Sequence, residues 1–174
     1  MADSSPVPEP PDTLTDTREL LLGYLDHYRS ALLRKLDGMP EDDLRTSRLP
    51  SGWTPLGLLK HLAYVERRWF RWGFAAERVD DVDGDRDPGS GRWHVGPEES
   101  VDGLKRLFLD ECARSREIVA GADLQDPART GGGFGPSEHR PALVWILFHV
   151  LQEYARHVGH LDIVRELADG VTGE

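Results

Sequence analysis

Glu153 and His157 stand four residues apart in the run Glu153-Tyr154-Ala155-Arg156-His157-Val158-Gly159-His160, inside a long apolar stretch near the C-terminus. On a helix that interval places a carboxylate and an imidazole one turn apart on one face, where both can hold a single metal ion. A further imidazole, His61, sits in Lys60-His61-Leu62 on a second apolar segment. The chemistry open to such a set is that of a divalent-metal site.

Each residue also has a plainer reading. An inward-facing histidine is commonly a core side chain with a hydrogen-bond partner, and Glu153 could pair with Arg67 or Arg68. On a helical wheel, Glu153 and His157 lie roughly 80° and 40° from the apolar centre, with His160 and His149 roughly 100° and 120° away. Glu153 and His157 therefore turn inward most strongly. A glutamate facing a core is rarely buried unless it is paired or metal-bound, because an isolated buried carboxylate changes protonation state instead. Spacing alone leaves the metal site and the paired core both open.

Four amphipathic segments must position these residues. Leu21, Leu25, Tyr28, Leu32 and Leu36 recur at intervals of three and four, predicting a helix within residues 14–36 that ends near Gly38-Met39-Pro40. Thr54-Pro55 supplies an N-cap and an N1 proline for a helix running to about Arg78, with Leu58, His61, Val65, Trp69 and Trp72 on one face. Val101, Leu104, Phe108, Cys112 and Val119 mark a third helix, which stops near Gly121, and Pro141 opens a fourth that reaches about Ala168. No period-two segments or internal repeats interrupt this pattern, so the expected fold is an all-α four-helix bundle. One domain over residues 13–169 is expected, between a disordered, proline-rich lead-in at 1–12 and a flexible tail at 170–174.

The connections carry two decoys. Asp81-Val82-Asp83-Gly84-Asp85-Arg86-Asp87 invites a calcium reading, but an EF-hand loop needs glycine at position six and glutamate at position twelve. Those positions are Arg86 and Arg92, so residues 80–97 read as a solvated loop. Gly131-Gly132-Gly133-Phe134-Gly135 lacks the following Gly-Lys-Ser/Thr and the preceding strand of a phosphate-binding loop, and reads as a flexible connector.

Composition narrows the function classes. Lys+Arg of 21 against Asp+Glu of 31 gives a formal charge of −10. No basic stripe offsets it, which disfavours nucleic acid and anionic membrane surfaces as partners. No uncharged apolar stretch approaches the ~20 residues that cross a bilayer. With one cysteine, Cys112, and a start lacking a basic and apolar leader, the chain reads as cytoplasmic and free of disulfides. Cys112 itself reads as a small buried hydrophobe.

Ser51-Gly52-Trp53-Thr54-Pro55-Leu56-Gly57-Leu58-Leu59-Lys60-His61-Leu62, followed by Glu153-x3-His157-Val158-Gly159-His160-Leu161-Asp162-Ile163, resembles the DinB-like superfamily of metal-binding four-helix bundles. The nearest branch is akin to the N-terminal domain of mycothiol-dependent maleylpyruvate isomerase, and the likeness covers about Leu14 to Leu167. The resemblance implies that His61, Glu153 and His157 bind a divalent metal, zinc or nickel. Many members carry histidine at the position of Glu153; the glutamate form is that of the mycothiol-linked members. The isomerase's additional C-terminal domain has no counterpart here, which separates this chain from that particular reaction.

Two imidazoles and one carboxylate would leave a fourth coordination position open, as in catalytic zinc sites. A low-molecular-weight thiol such as mycothiol could bind there as its thiolate and attack an electrophile in S-transfer, conjugation or isomerisation. Tyr154 and His160 would be second donors or proton carriers. The alternatives are a metal-dependent hydrolase and a non-catalytic bundle stapled by its metal. Trp53, Trp69, Trp72, Trp93 and Trp145 could line a substrate pocket or a homodimer interface.

Overall fold

Every residue from Pro55 to Glu66 is buried, because this segment is apolar around nearly its whole circumference and must lie at the centre of the molecule. The computed structural model describes residues 6–172. Helix α1 spans Thr17–Leu36, a short α2 spans Glu41–Arg45, α3 spans Pro55–Glu66, α4 spans Val101–Ala120 and α5 spans Leu143–Asp169. Helix α3 continues directly into a π-helical segment, Arg67–Phe74. The four long elements form an all-α bundle in which α3 packs on α4 and α5, and α1 packs on α5. Among the described residues the only β-type pairings are two isolated bridges, and no helix is long and apolar enough to cross a membrane.

Local chemistry sets the helix starts. Asp16, Thr54 and Ser100 each accept a hydrogen bond from the backbone three residues on, capping α1, α3 and α4. Helix α5 begins at Leu143 rather than at Pro141, because residues 141–142 are engaged by the preceding linker. Ala128 N–H donates to the Pro141 carbonyl, while Leu143 and Val144 donate to Asp126 and Leu124. Gly170 closes α5 in the left-handed conformation, φ 76°.

The expected second helix departs from regularity at Arg67. Beyond it the hydrogen bonds reach one residue further, as from Ala75 N–H to the Phe70 carbonyl. A π turn of this kind shifts the phase of all following side chains. It also leaves carbonyls without α-helical partners, and the linker that carries the glycine cluster supplies them: Gly133 donates to Trp72 and Arg129 to Phe74. A Cβ on Gly132 would fall 1.9 Å from the Trp72 carbonyl oxygen, so the close approach requires glycine there. The expected flexible connector is a backbone cap docked on the π segment.

Residues 6–12 have no regular structure, yet they lie along α1. Val7 N–H donates to Ser30 Oγ, the His27 ring meets the Val7 carbonyl, and Pro10 fits against Gly23. The expected disorder of residues 1–5 and the last two residues of the tail fall outside the described residues.

At the junction of α3 with the π segment, the fully buried Glu66 takes two hydrogen bonds from Arg29 of α1, both 2.9 Å, and one of 2.6 Å from Tyr154 of α5. Cys112 of α4 brings its sulfur within 3.8 Å of the same carboxylate. Burial, and then the charge of Glu66, push the Cys112 thiol well up, so it stays protonated and unreactive. One carboxylate thus joins all four long helices. Replacing Glu66 by Ala leaves Arg29 buried without its counter-ion, and urea unfolding should show a loss of about 3–5 kcal/mol. An unchanged midpoint would show that the cluster contributes nothing to stability.

Candidate metal centre and pocket

His61 projects from the middle of α3 toward α5, where Glu153 and His157 share a face one turn apart. Its Nε2 lies 3.9 Å from Glu153 Oε2, and His157 Nε2 lies 3.1 Å from the same oxygen. One ligand atom from each of the three residues falls within 4.8 Å of the others. The proximity of His157 and then of His61 holds the Glu153 carboxyl well below the usual range, so the group is a carboxylate.

The orientation of His61 comes from the loop expected to be solvated. Asp85 is fully buried beneath α3, and its Oδ2 lies 2.8 Å from His61 Nδ1. Arg68 donates to both Asp85 oxygens, at 2.6 and 3.0 Å. Burial alone would raise Asp85, but the hydrogen bonds from His61 and Arg68 bring it down to about 2. An ionised Asp85 accepts a hydrogen bond from Nδ1–H, which leaves Nε2 of His61 on the side of Glu153. The ring is also stacked on Trp93, centroids 4.1 Å apart. Trp93 is held in turn by pairing across the loop, with His94 N–H donating to the Asp85 carbonyl and Asp87 N–H to Arg92. The run of acidic residues and glycines hid this small hairpin, and only the buried partner demanded by His61 could have pointed to it.

The donor set suits a divalent ion of borderline softness, since imidazole and carboxylate are both ligands of zinc. His61 Nε2 is beyond hydrogen-bond distance of Glu153. His157 Nδ1 is buried without a hydrogen-bond partner. The Nε2 atoms of both rings thus face one carboxylate oxygen of Glu153.

Beside the three residues lies a cavity of about 350 Å³, bordered by Arg68, Trp69, Trp72, Arg86, Phe134 and His149 as well as His61 and Glu153. His149, which the helical wheel turned away, stacks on Trp145 and places Nε2 3.7 Å from Glu153 Oε1. Trp69 and Trp72 of the π segment line the same cavity. A second hollow, also about 350 Å³, adjoins it across Trp69 and Phe134 and is bordered by Trp145 and Pro141.

A family model for mycothiol S-transferase matches residues 20–170. The chain belongs to the mycothiol S-transferase family. That family lies within the DinB-like superfamily, in agreement with the bundle. No curated protein sequence matches the chain significantly.

In this transferase-family chain the two other expected site residues are placed differently from the three. His160 is exposed on the neighbouring turn, its ring edge-on to His157 at 5.9 Å. Tyr154 is not brought to the cluster. It points to the bundle centre, wholly buried, with its hydroxyl committed to Glu66, because it occupies the apolar centre of α5 while Glu153 occupies the flank. Its hydroxyl is turned to Glu66 and not to the three residues.

Three outcomes follow from this geometry. Asp85→Asn should weaken zinc binding by about 10–100-fold, read by competition with a chromophoric chelator, since the outer partner orients the ligand. In the metal-free protein, the ionised Asp85 stabilises fully above its ordinary value of 3.8, and that contribution is lost as pH falls toward about 2. The stability gap between wild type and Asp85→Asn should therefore narrow across that interval; a constant gap would contradict the ion pair. Tyr154→Phe should lower stability by about 1–2 kcal/mol and leave metal content unchanged.

Proposed function

We propose that this protein is a divalent-metal-dependent S-transferase, using His61, Glu153 and His157 as ligands and a low-molecular-weight thiol of the mycothiol type as the donor, in the cytoplasm. Membership of the mycothiol S-transferase family supports a thiol-related transferase role. The single observation that carries metal dependence is the convergence of two imidazole nitrogens and one carboxylate oxygen within 4.8 Å, with His61 backed by a buried carboxylate.

Supplying thiolate at neutral pH is the chemistry that a bound divalent ion, zinc or nickel, would contribute. The chain's own residues do the rest. Asp85 keeps His61 in the tautomer whose Nε2 is free, and Arg68 balances the Asp85 charge so that the loop stays closed over α3. Glu153 remains ionised and balances part of the positive charge of an ion. Trp69, Trp72 and Phe134 make an apolar wall that excludes water from one side of the cavity, which favours capture of an electrophile by sulfur over hydrolysis.

Protein purified without a histidine tag should contain one equivalent of divalent metal by mass spectrometry. His61→Ala and His157→Ala should be nearly metal-free, and Glu153→Ala strongly depleted. Full occupancy in His61→Ala would sink the ligand assignment. Chelation should abolish mycothiol conjugation of a bimane electrophile, with recovery on adding zinc. In the cobalt-substituted protein, mycothiol should add a sulfur-to-metal charge-transfer band. Full conjugation by the chelated protein would retain the transferase and remove the metal from it.

A further inference from the structure

The loop that orients His61 also carries the pocket's uncommitted positive charge. Arg86 follows Asp85 directly, and its backbone is fixed by antiparallel pairing with Trp93. The residue is exposed at the surface and borders the cavity. The cavity's other guanidinium, Arg68, is spent on Asp85 and on the Val82 carbonyl. Among the described residues the Arg86 guanidinium has no ion pair and no hydrogen bond. Trp69, Trp72 and Phe134 line the same cavity with aromatic rings.

A free guanidinium beside aromatic faces is a receptor for a planar group bearing a carboxylate, which Arg binds through two parallel N–H donors. We propose that the electrophile accepted by this pocket is a planar unsaturated or aromatic acid, with its carboxylate on Arg86 and its ring against the aromatic wall. The proposal rests on the S-transferase reading for the reaction but not for the binding. In the reaction the thiol loses its proton to solvent and sulfur forms a bond to one carbon of an activated double bond. The π pair moves to the neighbouring carbon, which takes a proton from water.

A matched pair of unreactive probes tests the binding: N-(4-carboxyphenyl)succinimide against N-phenylsuccinimide, titrated by calorimetry into the metal-loaded protein. The acid should bind about tenfold tighter, the scale of one partly exposed charge-assisted contact. That preference should vanish in Arg86→Ala and survive in part in Arg86→Lys, with metal content unchanged in both. Equal affinity for the two probes in the wild type, or an equal loss of both in Arg86→Ala, overturns the proposal. The corresponding maleimides with mycothiol should show the same preference through KM. If neither maleimide is conjugated while the acid probe keeps its advantage, the transferase reading fails and the anion site stands. Equal kcat/KM for both, with no binding preference, rejects the anion site alone.

Discussion

A carboxylate with no exposed surface must find its hydrogen bonds inside the protein, and Asp85 finds them in His61 and Arg68. This satisfaction determines three things together. It closes the residue 80–97 loop over α3, it selects the His61 tautomer with Nε2 free, and it cancels one of the two guanidinium charges beside the cavity. Removing the charge from a buried carboxylate site leaves donors unpaired, which costs more than a surface ion pair of the same geometry could return. The proposed metal centre between α3 and α5 depends on this contact, because Glu153 and His157 could share an ion with His61 only if its ring is turned toward them.

The same logic recurs one helical turn further along, at Glu66. There a second buried carboxylate gathers Arg29, Tyr154 and the Cys112 thiol from the other three long helices. The two clusters have different roles: Glu66 ties the helices together, and Asp85 orients the site. Between and beyond them α3 is apolar, and from Arg67 it gives way to the π segment. That segment carries Trp69 and Trp72, which line the cavity, and presents carbonyls that Gly133 and Arg129 cap. A wider helical turn, a glycine cluster and an aromatic pocket are therefore one structural device.

Much of this was legible in the residues. Leu25, Leu32, Phe108 and Val150 keep helical spacing and lie in the core, so the bundle followed from periodicity. Glu153 and His157 were readable as an inward pair because four residues make one turn. Asp85 was not readable, since an aspartate among aspartates and glycines looks solvated until its partner is known, and His61 lies 24 residues away. Tyr154 stood out by sitting next to Glu153, but neighbouring residues on a helix point about 100° apart. His149 was missed for the converse reason: the cavity opens on the flank of α5, so a histidine off the apolar centre still borders it. The π turn had no local signature beyond the aromatic-rich Arg67–Phe74 run, whose irregularity becomes intelligible only with the distant glycines in place.

The most direct test of this account is a crystal structure of the zinc-loaded protein with diffraction recorded on both sides of the zinc absorption edge. The account predicts one anomalous peak among His61, Glu153 and His157, with nitrogen and oxygen ligands at about 2.0–2.2 Å and Asp85 still bonded to the far nitrogen of His61. An ion held instead by the acidic loop, or no peak beside these three residues at full zinc occupancy, would contradict it.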